Sequence, residues 1–292
     1  MKVGVIGLGL IGASIVRAHL ASHSDDEICG FDRDPDAAAY VQSEGWARVA
    51  ASAAQAVDGC DVVILATPVT AYTQVLTECV GAFAGNAVLL DVGSMKQAAV
   101  RAVAPFLSKG IAFVPSHPIA GLERHGPRHS SPTLFQDRWC VITPDEVGPQ
   151  AIERAISFWE GLGMRVATLT ADQHDRVLGF TSHLPHLISF GMAGAGVAME
   201  RALGSDLLRL SAGSFRDFTR IARSNPELWT DILLANAGHL SEAYALLKAE
   251  IEPVLAALNA GDRETAKQLL TTQHRDFKDR VAPELDRRDE IL

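Results

Sequence analysis

Apolar residues follow two rhythms along this chain. In the first half, short apolar runs at 3–6, 28–31, 62–66, 87–91, 111–114, 139–142 and 165–169 are separated by more polar stretches. Runs of that length, rich in Val, Ile and Leu, are the pattern of strands buried on both faces. Between several of them apolar residues recur at helical spacing, over 13–21, 35–43, 70–82, 96–107 and 150–161. Alternation of this kind predicts a parallel, doubly wound sheet. After about Thr170 the strand pattern stops. Residues 173–201 read as one long helix, distorted near Pro185, with a Gly/Ala-rich middle (Gly191 to Ala198) that lets another helix approach closely. A short helix is expected within 209–223. Asn225 then caps a further helix, with Pro226 at its first position and Glu227 in its first turn. Leu228, Trp229, Ile232, Leu233, Leu240, Tyr244 and Leu247 keep helical spacing beyond it, and a last helix starts near Asp262. The pattern predicts an α/β domain over 1–170 followed by an all-α domain over 171–292.

The turn after the first strand carries the most information. Val3 to Ile6 runs into Gly7-Leu8-Gly9-Leu10-Ile11-Gly12, and a helix follows. In a Gly-x-Gly-x-x-Gly turn between strand and helix, the first glycine permits the tight turn. The second lets a pyrophosphate approach the backbone, and the third lets the helix pack on the strand. The helix N-terminus adds unpaired N–H groups and a partial positive charge. The second strand ends in Asp32, about 20 residues after the last glycine, where a carboxylate accepts hydrogen bonds from a ribose and repels a 2′-phosphate. The expectation is a Rossmann-type domain binding NAD. Arg33 keeps NADP open, because a guanidinium there could accept a phosphate. Ligands in such folds sit beyond the carboxyl ends of the strands. Three ends are therefore candidates: Ala66-Thr67-Pro68, Asp91-Val92-Gly93-Ser94-Met95-Lys96, and Ser116-His117-Pro118-Ile119-Ala120-Gly121.

Composition narrows the function classes. Over 292 residues, 48% are hydrophobic and 21% charged, with a net charge of −9. No basic cluster is present, so a nucleic-acid partner is not expected. The most apolar long stretch, Leu184 to Met199, contains Pro185 and His186 and is shorter than a membrane span. The four cysteines, Cys29, Cys60, Cys79 and Cys140, form no metal or redox motif. Cys29 and Cys140 lie in strand-like runs and read as buried thiols, which fits a reducing cytoplasm. A strand beginning at residue 3 leaves no signal peptide expected ahead of it.

Several side chains could do chemistry. His117, just past a strand, could reach a ligand, and an imidazole with a pKa of about 6.5 suits a general base. The alternative is a histidine hydrogen-bonded within a loop. Ser94 could hold a substrate oxygen, cap the helix over 96–107, or do both. Ser182-His183-Leu184-Pro185-His186 sets two histidines three apart on one side of a helix. No third ligand is spaced to complete a zinc site, so no metal is expected. In Phe215-Arg216-Asp217-Phe218-Thr219-Arg220-Ile221-Ala222, an inward stripe of Phe215, Phe218, Ile221 and Ala222 is expected. Arg216 and Arg220 lie on the neighbouring face. Guanidinium groups bind carboxylates bidentately, but by pattern alone the pair reads as a solvated face with Asp217.

Taken together, these motifs resemble the prephenate/arogenate dehydrogenase family of tyrosine biosynthesis. The resemblance rests on the glycine turn running to Ser14, on Asp91 to Lys96, on His117 to Gly121, on Ser182 to His186 and on Phe215 to Ala222, in that order. It implies oxidative decarboxylation of a cyclohexadiene bearing a ring carboxylate, a ring hydroxyl and a side-chain acid. His117 then accepts the hydroxyl hydrogen, Ser94 bonds the same hydroxyl, and Arg220 anchors a substrate carboxylate. His186 lies at the side-chain end, and Glu123 occupies a gating position. His183, Ser182 and Arg216 are further substrate-binding candidates. The helical domain is expected to form a homodimer. A rival reading is a 3-hydroxyacid or 6-phosphogluconate-type dehydrogenase. Those enzymes typically carry a lysine with an asparagine four residues on, whereas here Val100 follows Lys96, Glu252 follows Lys248 and Thr271 follows Lys267. A non-catalytic dinucleotide sensor would need the glycine turn but not His117, Ser94 and Arg220 together.

Overall fold

The computed structural model describes residues 1–121, 124–204 and 208–282. The first half contains β1 (Lys2–Ile6), α1 (Leu10–Ser22), β2 (Glu27–Phe31), α2 (Pro35–Ser43), β3 (Arg48–Val49), α3 (Ala53–Val57), β4 (Val62–Leu65), α4 (Tyr72–Cys79), β5 (Val88–Asp91), α5 (Lys96–Leu107), β6 (Ala112–Val114), β7 (Ser116–Pro118), β8 (Trp139–Ile142), α6 (Pro149–Gly161) and β9 (Arg165–Thr168). The second half contains α7 (Ala171–Leu178), α8 (Leu184–Leu203), α9 (Gly213–Thr219), α10 (Pro226–Ala235), α11 (Ala237–Asn259) and α12 (Arg263–Asp276).

Six strands form one parallel sheet in the order β3-β2-β1-β4-β5-β6. Its central strands are buried on both faces, which is why they read as continuous apolar runs. Side chains alternate between two cores. Val62 and Ile64 point into one with Val3, Val5 and Trp159, and Val63 and Leu65 into the other with Leu76 and Val103. The chain winds outward in opposite directions from β1 and β4. This leaves a crevice at their carboxyl ends, where the glycine turn lies.

The strands at 139–142 and 165–169 do not extend this sheet. They form a separate three-stranded sheet, β7-β8-β9, with β7 antiparallel to β8 and β8 parallel to β9. The division falls at Pro115. Proline has no N–H for a ladder, and here its carbonyl instead accepts from Thr143 N at 2.9 Å. The chain leaves the large sheet at β6 and re-pairs as β7, so His117 lies in a strand opposite Val141 rather than in a loop.

Two helices of the helical half are interrupted where the sequence reading ran them on. The stretch read as one helix over 173–201 is α7, a π-helical turn at Gly179–His183, then α8 with Pro185 in its first turn. Proline cannot donate to the preceding turn, and the wider π turn absorbs the mismatch. The helical spacing from Leu228 to Leu247 is likewise broken at Asn236, between α10 and α11. Asn225 caps α10 as expected, its Oδ1 accepting from Glu227 N at 2.8 Å. All four cysteines are buried free thiols. Among the described residues no helix is long and apolar enough to cross a membrane.

Candidate active site

A cleft of about 720 Å³ opens at the carboxyl edge of the large sheet. Its walls include Gly9, Leu10 and Ile11 of the glycine turn, Thr67 and Pro68 after β4, Ser94 after β5, and His117 of β7. Leu228, Asp231 and Ile232 of α10 close it from the helical half.

The glycine turn has the geometry its sequence implies. Gly7 has φ +98°, a conformation side chains rarely adopt. A Cβ at Gly12 would meet the Gly7 carbonyl oxygen at 1.9 Å, so only glycine allows α1 to start this close to β1. Above Gly9 nothing lies within 4 Å of where a Cβ would be, and no side chain caps α1. Its first N–H groups therefore face open space beside the cleft, as an anion-binding turn requires. Gly7, Leu8 and Gly12 are buried beneath that surface. Asp32 braces the turn, with Oδ2 accepting from Leu8 N at 2.6 Å and Oδ1 from Asp34 N at 2.8 Å. Arg33 is exposed beside it. The Thr67 hydroxyl is buried without a hydrogen-bond partner among the described residues, and such groups call for a ligand or water. An open cradle, an uncapped helix and an orphaned hydroxyl together fit a dinucleotide.

One buried carboxylate ties together the strand ends that carry Ser94 and His117. Asp91 Oδ2 accepts from Tyr72 OH at 2.9 Å, Gly93 N at 3.0 Å and Lys96 Nζ at 2.6 Å. Its Oδ1 accepts from Ser116 N at 2.8 Å, and Lys96 Nζ also donates to the Ser116 carbonyl at 2.5 Å. Gly93 precedes Ser94 and Ser116 precedes His117, so the network fixes both neighbours of the candidate pair. Burial lowers the Lys96 pKa, and the adjacent Asp91 carboxylate opposes that shift.

Ser94 does not cap α5. The cap position is Met95, which makes no side-chain cap bond. The cap comes from the helical half instead: the Asp175 carboxylate accepts from Lys96 N at 2.8 Å and Gln97 N at 2.9 Å. Asp175 Oδ1 also lies 2.7 Å from His174 Nδ1, and His174 Nε2 lies 2.8 Å from His117 Nδ1. The rings of His117 and His174 meet edge to face at 63°. Burial pushes His117 well below the usual imidazole range, with further lowering from His174, Lys96 and His183. His174 is also lowered by burial, which the hydrogen bond to Asp175 offsets in part. Sequence reasoning missed His174 and Asp175. Their signal was the pattern Thr170-x-x-Gln173, which forms a capping box on α7 and fixes the phase of the two residues that follow.

The other candidates from the helical half do not line the cleft. His183 is buried, its Nδ1 2.9 Å from Asn236 Nδ2, and burial pushes its pKa down to about 4. His186 is half-buried and stacks on Trp229, with ring centroids 3.4 Å apart. Trp229 follows Leu228, a cleft-wall residue, in α10. Ser182 is half-buried in the π turn. Arg216 and Arg220 are exposed. Arg220 opens a 3-10 turn at Arg220–Arg223. The expected inward stripe breaks here. Phe215 packs on Gly196, but Phe218, three residues on in the same helix, is 61% exposed. Glu123 lies outside the described residues. No cluster of metal-ligating side chains occurs among the described residues.

Comparisons with known proteins agree with this fold. Residues 15–168 match the family described as prephenate dehydrogenase, nucleotide-binding domain, and residues 170–272 match prephenate dehydrogenase, dimerization domain. The cyclohexadienyl dehydrogenase of Zymomonas mobilis is 36% identical over 266 residues, covering 89% of this chain and 89% of that protein. The prephenate dehydrogenase of Bacillus subtilis is 31% identical, covering 94% of this chain and 74% of its own length. Among solved structures, prephenate dehydrogenase from A. aeolicus, in complex with hydroxyphenyl propionate and NAD+, superposes with a TM-score of 0.86 at 26% identity. That match covers 95% of this chain and 98% of the other.

Proposed function

From the premise that this chain belongs to the prephenate dehydrogenase family, we propose the following reaction and division of roles. The protein is an NAD-dependent oxidoreductase of tyrosine biosynthesis. It oxidatively decarboxylates prephenate, arogenate or both, giving 4-hydroxyphenylpyruvate or tyrosine. The observation that carries this reading is that His117 and Ser94 share one cleft with the glycine turn.

Residues 1–170 form the dinucleotide-binding domain and 171–292 the substrate-binding and dimerisation domain. Gly7 to Gly12, Asp32, Arg33, Thr67 and Pro68 hold the dinucleotide. When bound, it supplies the hydride acceptor. His117 takes the proton of the ring hydroxyl at its free nitrogen, and the O–H pair forms the new carbonyl as hydride leaves the same carbon. The bond to the ring carboxylate then breaks and its electron pair enters the ring as carbon dioxide departs; the carbonyl π pair moves onto its oxygen, which takes back the proton from His117, and the ring becomes an aromatic phenol. Ser94 hydrogen-bonds the reacting hydroxyl. Arg220 anchors a substrate carboxylate, with Arg216 near it. His186, His183 and Ser182 organise the side-chain end, and Glu123 gates the pocket. General-base help of this kind is worth about 10² to 10⁴ in rate.

The protein acts in the cytoplasm as a homodimer. The helical half leaves Leu210 at 75%, Leu234 at 70% and Leu246 at 64% exposure. The match of residues 170–272 to a dimerization domain supports this reading, with a second copy covering such side chains. The test is formation of reduced nicotinamide, followed by absorbance, with each substrate and with NAD or NADP. Turnover of at least one substrate with NAD is expected; no reduced nicotinamide in any combination overturns the reading.

A further inference from the structure

We propose that His174, held by Asp175, is a positioning residue that locks His117 into the tautomer with a proton on Nδ1 and a free lone pair on Nε2. This inference rests on the reaction proposed above for its kinetic consequence but not for its geometry. The assignment follows from hydrogen-bond directions. Asp175 Oδ1 can only accept, so the contact at 2.7 Å requires a proton on His174 Nδ1. A neutral His174 then has only a lone pair on Nε2, so the contact at 2.8 Å requires a proton on His117 Nδ1. The neutral His117 ring is left with an unprotonated Nε2 on its opposite side, the form a general base needs.

The relay is anchored at its far end. Asp175 accepts the first two N–H groups of α5 as well as the His174 proton. A carboxylate at a helix N-terminus is stabilised as the anion by those N–H groups and by the helix dipole. The Asp175 pKa is accordingly lowered: the bonds from His174, Gln97 and Lys96 outweigh its burial. The same carboxylate therefore fixes the start of α5, directly after Ser94, and through His174 the orientation of His117. Both residues come from α7 of the helical half, while the base they position comes from the small sheet. Seating the two halves together sets the tautomer.

The test compares His174→Phe, His174→Gln and Asp175→Asn in the full chain, by steady-state kinetics and by ¹⁵N shifts of the histidine rings, with His117→Asn to assign the His117 signal. Phe fills the space of the ring but accepts nothing. Gln offers an oxygen to His117 Nδ1–H and an N–H to Asp175. Asn at 175 keeps an acceptor for α5 but can present an N–H to His174, which reverses the relay and puts the proton on His117 Nε2. We expect wild type to show the Nδ1–H form. His174→Phe and Asp175→Asn should lose it, with kcat about 100-fold lower, the size of effect a misplaced catalytic group produces, and KM within about threefold. His174→Gln should recover at least about tenfold of that loss. If His174→Phe does not fold, Asp175→Asn decides by the same ring signal. A wild-type His117 protonated at Nε2, unchanged kcat in Asp175→Asn, or a His174→Gln no better than Phe with the tautomer unaltered overturns the relay. The ring signal needs no turnover. A wild type with Nδ1–H that oxidises neither substrate would remove the proposed reaction and leave the relay standing.

Discussion

Substituting Asp91 tests whether one buried ion pair holds the strand ends that carry Ser94 and His117 in register. Asp91 and Lys96 are both fully buried, and four donors converge on the carboxylate. In Asp91→Asn, an amide NH₂ on the Oδ2 side would face Lys96 Nζ and Gly93 N. On the Oδ1 side it would face Ser116 N. Neither orientation avoids a donor-to-donor contact, and the ammonium loses its counter-charge. Breaking a buried pair by removing one partner typically costs about 3–5 kcal/mol. Lys96→Met leaves the carboxylate three of its four donors, so its loss should sit near the lower end, about 3 kcal/mol. The double variant removes both charges together. Its loss should fall short of the sum of the singles by about 2 kcal/mol, within the range for residues sharing one network. Urea unfolding at a fixed protein concentration, extrapolated linearly with m checked for constancy, measures all three. Single losses under about 1 kcal/mol, or strictly additive losses, would refute the assignment of the pair as the strut of the site. Because Gly93 and Ser116 flank Ser94 and His117, kcat of folded Asp91→Asn should fall as well.

Three further outcomes follow from the same geometry. His117→Asn should keep dinucleotide binding, measured by fluorescence titration, while kcat falls at least about 10²-fold; near-normal turnover would remove the base. Arg220→Gln should raise KM far more than it lowers kcat, because a carboxylate anchor binds ground and transition states alike; the opposite split in steady-state kinetics would contradict that role. Stability should fall on acidification. His183 is neutral in the folded chain down to about 4, against 6.5 as an ordinary imidazole. The unfolded chain therefore binds more protons in that window, and stability falls as pH drops through it. At about 1.4 kcal/mol per unit, the loss from this residue reaches about 3 kcal/mol near pH 4. His117 and His174, lowered in the same direction, add to it. Flat stability between pH 6.5 and 4 in chemical denaturation would show that these rings are not held neutral.

The sequence by itself determined the elements whose information is local. The continuous apolar runs at the centre of the large sheet read as strands covered on both faces, as β4 and β5 are. The glycine turn declared its ligand through positions where any Cβ would strike backbone, as at Gly12. Asn225 announced a helix start through a cap that acts over three residues. Tertiary structure alone decided whatever depends on partners far along the chain. The transfer of His117 into a second sheet follows from Pro115 giving up its place in the first ladder and pairing with Thr143 instead. The cap of α5 comes from Asp175, distant in sequence, so Ser94, close by, read as a candidate cap. The pairing of His117 with His174 has no periodicity to betray it, since a hydrogen bond across a domain junction leaves no spacing rule in the chain. Local sterics and hydrogen bonding are written in neighbouring residues, whereas the coupling of two halves exists only once both have folded and met.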